Sequence, residues 1–112
     1  DYIFFFRKEH LEKYTGLENT LKQITNNKLE IVVVDKLTEG AACTALLARE
    51  FINNQQDLLI ANSDQIIEYE KENFNSLRNL TSVDAIVFTF NALHPKWSFV
   101  KTNSRGYITE VA

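Results

Sequence analysis

Four short apolar runs punctuate the chain: Tyr2-Ile3-Phe4-Phe5-Phe6, Ile31-Val32-Val33-Val34, Leu58-Leu59-Ile60-Ala61 and Ala85-Ile86-Val87-Phe88-Thr89-Phe90. None alternates cleanly between apolar and polar positions, and three are rich in β-branched or aromatic residues. Runs of this length and kind predict strands covered on both faces rather than buried helices. Between them the period lengthens. Leu17, Leu21 and Ile24 fall at i, i+4, i+7, the stripe of a helix with one buried face, and Asn26-Asn27 supplies its stop. Residues 41–52 hold good helix formers, with Cys43, Leu47 and Phe51 spaced by four. That spacing predicts a helix capped by Thr38, ended by Asn53-Asn54 and buried along the Cys43 stripe. Phe74, Leu77 and Leu80 mark a third, weaker helical pattern.

The resulting order is strand, helix, strand, helix, strand, helix, strand. It predicts one α/β domain over residues 1–112: a Rossmann-like three-layer sandwich, its mostly parallel central sheet joined by right-handed crossovers. Past His94-Pro95 the pattern changes. Residues 97–102 and 107–111 flank Asn103-Ser104-Arg105-Gly106, which predicts a β-hairpin at the C-terminal end.

Composition narrows the function classes. Of 112 residues, 45% are hydrophobic and 12% aromatic, enough for a core and against disorder. A net charge of −3 with scattered signs excludes a polybasic nucleic-acid binder and leaves no footprint for a membrane surface. Cys43 is the only cysteine, so no internal disulfide or zinc cluster can form, which points to a reducing compartment such as the cytoplasm. No apolar run approaches the roughly 20 residues of a membrane helix, and the Ile3-Phe4-Phe5-Phe6 run is too short for a signal-peptide core. The chain opens at Asp1 straight into an apolar run and closes at Ala112 inside a strand-like stretch, so both ends are expected to be cut.

In open α/β sheets, ligands bind beyond the carboxyl ends of the strands. The residues following the runs are Arg7-Lys8, Asp35-Lys36, Asn62-Ser63-Asp64-Gln65 and Asn91. Asp64 is the sharpest candidate. A carboxylate at a strand end suits Mg²⁺, which takes one or two protein carboxylates and completes its shell with phosphates and water. Capping of the next segment by Ser63 or Asp64 accounts for the same residues, and both readings stand. Gly40-Ala41-Ala42 could admit a ligand close to the backbone, although tight helix–sheet packing selects the same small residues. It lacks the spacing of a P-loop or a dinucleotide fingerprint. His10 and His94 read as surface or turn residues, Cys43 as a buried inert thiol, Trp97 as packing, and residues 68–72 as a solvated helix face.

Residues 37–65, LTEGAACTALLAREFINNQQDLLIANSDQ, resemble the nucleotide-binding part of sugar-phosphate nucleotidyltransferases, particularly the branch found in bacterial surface-polysaccharide gene sets. In that family a threonine, an acidic residue, a glycine and two alanines precede a helix, and a later strand ends in Asn-Ser-Asp-Gln. Residues 84–90 are similar to the family's next central strand. Trp97-Ser98-Phe99-Val100 and Gly106-Tyr107-Ile108-Thr109-Glu110-Val111 resemble its sugar-recognising segment. The resemblance spans the chain but only the middle of the family domain. It implies transfer of a nucleotidyl group from an NTP to a sugar 1-phosphate or related phosphorylated alcohol, with release of pyrophosphate. It further implies that Gly40 and Ala41 lie against the nucleobase, that Asp64 binds the catalytic Mg²⁺, and that Ser98 sits beside the sugar, where many relatives have glycine.

Nothing here matches the family's glycine-rich phosphate loop, its Glu-Lys pair or its second metal carboxylate, so the chain alone is expected to be inactive. Two rivals remain: a receiver-like signalling domain, whose acidic pair is absent after the first run, and a non-enzymatic module binding nucleotide or a partner chain. A sheet lacking a central strand exposes unpaired backbone, so self-association through that edge is also expected.

Overall fold

The computed structural model describes residues 1–112, which divide into two compact units, Asp1–Gln65 and Ile66–Ala112. In the first, β1 (Tyr2–Arg7) lies parallel to β2 (Leu29–Val34), in register from Tyr2↔Leu29 to Arg7↔Val34. Parallel strands cannot be joined by a tight turn, so the chain crosses over through α1 (Lys8–Lys13) and α2 (Leu17–Ile24).

The buried line of α2 runs through Leu21 to Thr25, while Ile24 faces solvent. A step of four residues advances about 40° around a helix and a step of three falls back about 60°, so Thr25 continues the line that Ile24 leaves. The Thr25 hydroxyl, buried with no water to bond, donates to the Leu21 carbonyl at 2.7 Å. The stop falls where Asn26-Asn27 predicts it. Both asparagines adopt the left-handed conformation (φ 51 and 60), which a Schellman ending requires of Asn26. Asn27 N–H reaches the Lys22 carbonyl at 2.8 Å and Asn26 N–H the Gln23 carbonyl at 3.3 Å.

The next helical stretch differs from expectation in two ways. It breaks into α3 (Ala41–Leu46) and α4 (Arg49–Ile52), and its N-cap is Gly40, while Thr38 instead bonds the Thr44 hydroxyl. Its buried residues are Ala45 and Ala48, the latter 0% exposed, whereas Cys43 is exposed and Leu47 is 49% exposed. Spacing by four marked the wrong face because alanines also fill a buried stripe wherever the backbone packs closely. The ending agrees: the Asn54 amide donates to the Phe51 carbonyl at 2.9 Å.

The second unit holds α5 (Lys71–Arg78) and a hairpin of β3 (Val100–Thr102) with β4 (Ile108–Val111). The hairpin is antiparallel, as expected, with Lys101 opposite Glu110. Its turn uses Gly106 at φ 82, with Gly106 N–H donating to the Asn103 carbonyl at 3.0 Å. The Asn103 side-chain oxygen accepts from Arg105 N–H at 2.9 Å and Tyr107 N–H at 3.1 Å, holding the turn from inside.

The fold is therefore mixed α/β, with a two-stranded parallel sheet and an antiparallel hairpin. The runs at 58–61 and 85–90 carry no ladder, in contrast to the four-stranded parallel sheet expected from them. An apolar run becomes a strand only where a neighbouring backbone takes up its N–H and C=O groups. Without one, Leu59 remains 77% exposed and Phe90 67%. No helix is long and apolar enough to cross a membrane.

The buried face of α3 and α4 can be tested directly. Ala48→Leu is expected to destabilise the protein by about 1–3 kcal/mol through overpacking. Leu47→Ala should cost less than about 1 kcal/mol. Urea midpoints of the two variants check the order, and the reverse order would restore the Cys43 stripe.

Candidate functional site

Because β1 and β2 run parallel and in register, the segments that leave them open on the same edge of the sheet. From β1 the chain passes Arg7, whose guanidinium holds Glu9 at 2.8 Å in solvent. From β2 it passes Asp35 and Lys36 and reaches Thr38, Glu39 and Gly40 before α3. The threonine pair braces this connection. Thr38 Oγ1 bonds Thr44 Oγ1, Thr44 Oγ1 donates to the Gly40 carbonyl at 3.2 Å, and Thr44 N–H donates to the same carbonyl at 3.0 Å.

Gly40 has extended backbone, and a Cβ built there would meet nothing within 4 Å. The space beside Gly40 and Ala41 is thus open, and tight packing of helix on sheet does not explain the glycine. Ala41 begins α3.

Asp64 lies in the same unit, in a turn after the 58–61 run, with its side chain in solvent. The turn is closed by the Asn62 amide, which donates to Gln65 Oε1 at 3.1 Å. Ser63 and Asp64 start no helix, since the next one is α5, so capping does not account for them. No group of three or more His, Cys, Asp or Glu side chains converges to hold a metal ion. Gly40, Ala41 and Asp64 fall in one unit, and Ser98 belongs to the other, exposed just before β3.

Other residues take clearer places. His94 is a turn residue: its carbonyl accepts Trp97 N–H at 3.2 Å and its Nδ1 accepts Lys96 N–H at 3.2 Å. Trp97 packs edge-on to Phe90 at 5.0 Å, with Lys96 Nζ 4.5 Å from its ring centroid. Residues 68–70 precede α5 rather than lie on it, and Tyr69, 48% exposed, has one side of its ring against neighbours. Its ring meets Phe74 at 5.5 Å and Phe88 at 5.0 Å.

Sequence reasoning missed an open hollow of ≈ 760 Å³ where β1 hands over to the helices, lined by Phe6, His10, Lys13, Tyr14 and Leu17 among others. Its residues come from three elements, and no local motif joins them. Compared with known proteins, the chain matches no family model, no curated protein and no solved structure.

Cys43 reports on the local geometry. Its exposed thiol is expected to react with a disulfide reagent in the native protein at close to the rate seen in denaturant. Protection by about tenfold or more would place it inside a packed stripe.

Proposed function

We propose that this chain is the nucleotide-facing central part of a sugar-phosphate nucleotidyltransferase. The observation that carries this reading is the 37–65 segment. Its Thr-Glu-Gly-Ala-Ala connection leaves the carboxyl end of β2 with open space at Gly40, and its Asn-Ser-Asp-Gln turn presents a solvent-facing carboxylate within the same unit. In the proposed reaction the phosphate oxygen of a sugar 1-phosphate attacks the α-phosphorus of an NTP. A new P–O bond forms, the α–β bridge bond breaks, and pyrophosphate leaves. Positioning and charge neutralisation are the protein's part.

The backbone at Gly40 and Ala41 receives the nucleobase, for which the open space beside Gly40 leaves room. Ser98 offers a hydroxyl to the sugar. Asp64 is the residue that would hold Mg²⁺, with phosphate oxygens and water as the remaining ligands, and the ion would neutralise phosphate charge. A single exposed carboxylate fits that donor set, since Mg²⁺ keeps most of its shell from water and substrate. The nucleotide and sugar-phosphate substrates of this reading suit a cytoplasmic enzyme.

The fold of this reading is a mostly parallel sheet covered by helices, the three-layer Rossmann-like form, in which the 58–61 and 85–90 runs are strands. Their exposed leucine, isoleucine, valine and phenylalanine side chains support this, because pairing would bury both the apolar surface and the free backbone. No stretch of the 112 residues resembles the glycine-rich phosphate loop, which favours binding without turnover for this chain. The same feature favours a second reading, a non-enzymatic module that binds nucleotide or a partner through this fold.

Titration of the ¹⁵N-labelled chain with each of the four NTPs and Mg²⁺ separates the possibilities. The nucleotidyltransferase reading expects amide shifts at Gly40, Ala41 and Asp64 for one base above the others. Asp64→Asn should weaken the Mg²⁺-dependent part of the affinity about tenfold while leaving Mg²⁺-free binding unchanged. Absence of shifts with all four NTPs would remove this reading.

A further inference from the structure

We propose that a second copy of this chain pairs antiparallel with β1 along its free edge, forming a two-fold symmetric sheet in the order β2-β1-β1-β2. The proposal rests on β1 alone and is independent of the nucleotide reading. Strand β1 has one partner, β2, and its other edge joins no ladder. Tyr2 N–H donates to the Lys28 carbonyl at 2.9 Å, so the backbone groups of Tyr2, Phe4 and Phe6 are turned toward β2. Those of Ile3 and Phe5 are turned outward.

The sequence of this edge is close to a palindrome in chemistry: Asp1, five apolar residues, then Arg7. Antiparallel pairing about a two-fold axis at Phe4 sets Ile3 opposite Phe5 of the second copy. That pair is the hydrogen-bonded kind, using the outward N–H and C=O groups of both residues. Phe4 meets Phe4 in the close non-hydrogen-bonded position. Tyr2 meets Phe6 on the same face, extending the ring row in which Tyr2, Phe4 and Phe6 already follow one another at 6.2 and 6.3 Å. At each end Asp1 falls opposite Arg7, whose present ion partner, Glu9, is a neighbour in solvent. Shape, hydrogen bonding and charge thus select one register.

The edge of β2 offers no such match. Residues 29, 31 and 33 face outward there, and pairing about an axis through Ile31 or Val32 sets Glu30 opposite Val32 or Val34. An unmatched charge on an edge strand blocks pairing of this kind. Strand β1, by contrast, has no charged residue between Asp1 and Arg7, and Tyr2 is 56% exposed.

Sedimentation of the 112-residue chain over a concentration series tests the pairing. A monomer–dimer equilibrium is expected. Arg7→Glu should weaken it about tenfold by opposing two acids at each end, and adding Asp1→Lys should restore it. In a Cys43→Ser background, Phe4→Cys should form a covalent dimer on oxidation, since facing Cα atoms in the close pair are about 4.5 Å apart. Val33→Cys on β2 should not. A monomer at every concentration, open aggregates in place of a dimer, indifference to the charge exchange, or equal cross-linking at Val33 would each overturn the proposal.

Discussion

Parallel pairing between Tyr2–Arg7 and Leu29–Val34 governs the first unit, because it dictates what the intervening chain must do. Strands running the same way demand a crossover, and residues between Arg7 and Leu29 have to travel back along the sheet. Helices α1 and α2 are the means of return. The double asparagine at 26–27 then turns the chain into β2, through left-handed dihedrals that few other residues accept. The same pairing sends both strand ends to one edge, which is where the Thr38–Gly40 connection and the Arg7–Glu9 pair emerge.

The second unit is held differently. Its hairpin depends on the side-chain oxygen of Asn103, a positive φ at Gly106 and the cross-strand pair Lys101–Glu110. Away from the hairpin, Tyr69, Phe74 and Phe88 form a ring cluster with centroids 5.0 to 5.5 Å apart. Aromatic contact thus gathers the 85–90 run to α5 although no ladder takes up its backbone. Few residues reach full burial anywhere: Leu21, Ala45 and Ala48 are the buried apolar side chains, and no large side chain is fully enclosed. Exposed apolar surface of this kind is what the proposed β1 pairing would cover in part.

What could be read from residues alone followed the range of the interaction. Asn26-Asn27, Asn53-Asn54 and Asn103 to Gly106 were legible as stops and turns because their effect is local: a side chain bonding its own backbone, or a backbone angle only certain residues tolerate. The connection ending at Gly40 was legible for the same reason, whereas Asp64, expected at a strand end, lies in a turn because the 58–61 run has no paired neighbour. The hollow beside Phe6, His10 and Leu17 was not legible, although its residues are near in sequence, since only the bends from β1 through α1 into α2 face them onto one space.

Apolar content and period by themselves determined that the first two runs are strands, that helices separate them and that a hairpin ends the chain. Tertiary structure alone decided which face of the 41–52 stretch is buried, giving it to Ala45 and Ala48 over Cys43 and Leu47. It also decided which apolar runs obtain a ladder. Hydrophobicity makes a segment seek cover, but a strand exists only where another backbone completes its hydrogen bonds, and that partner is not encoded in the segment itself.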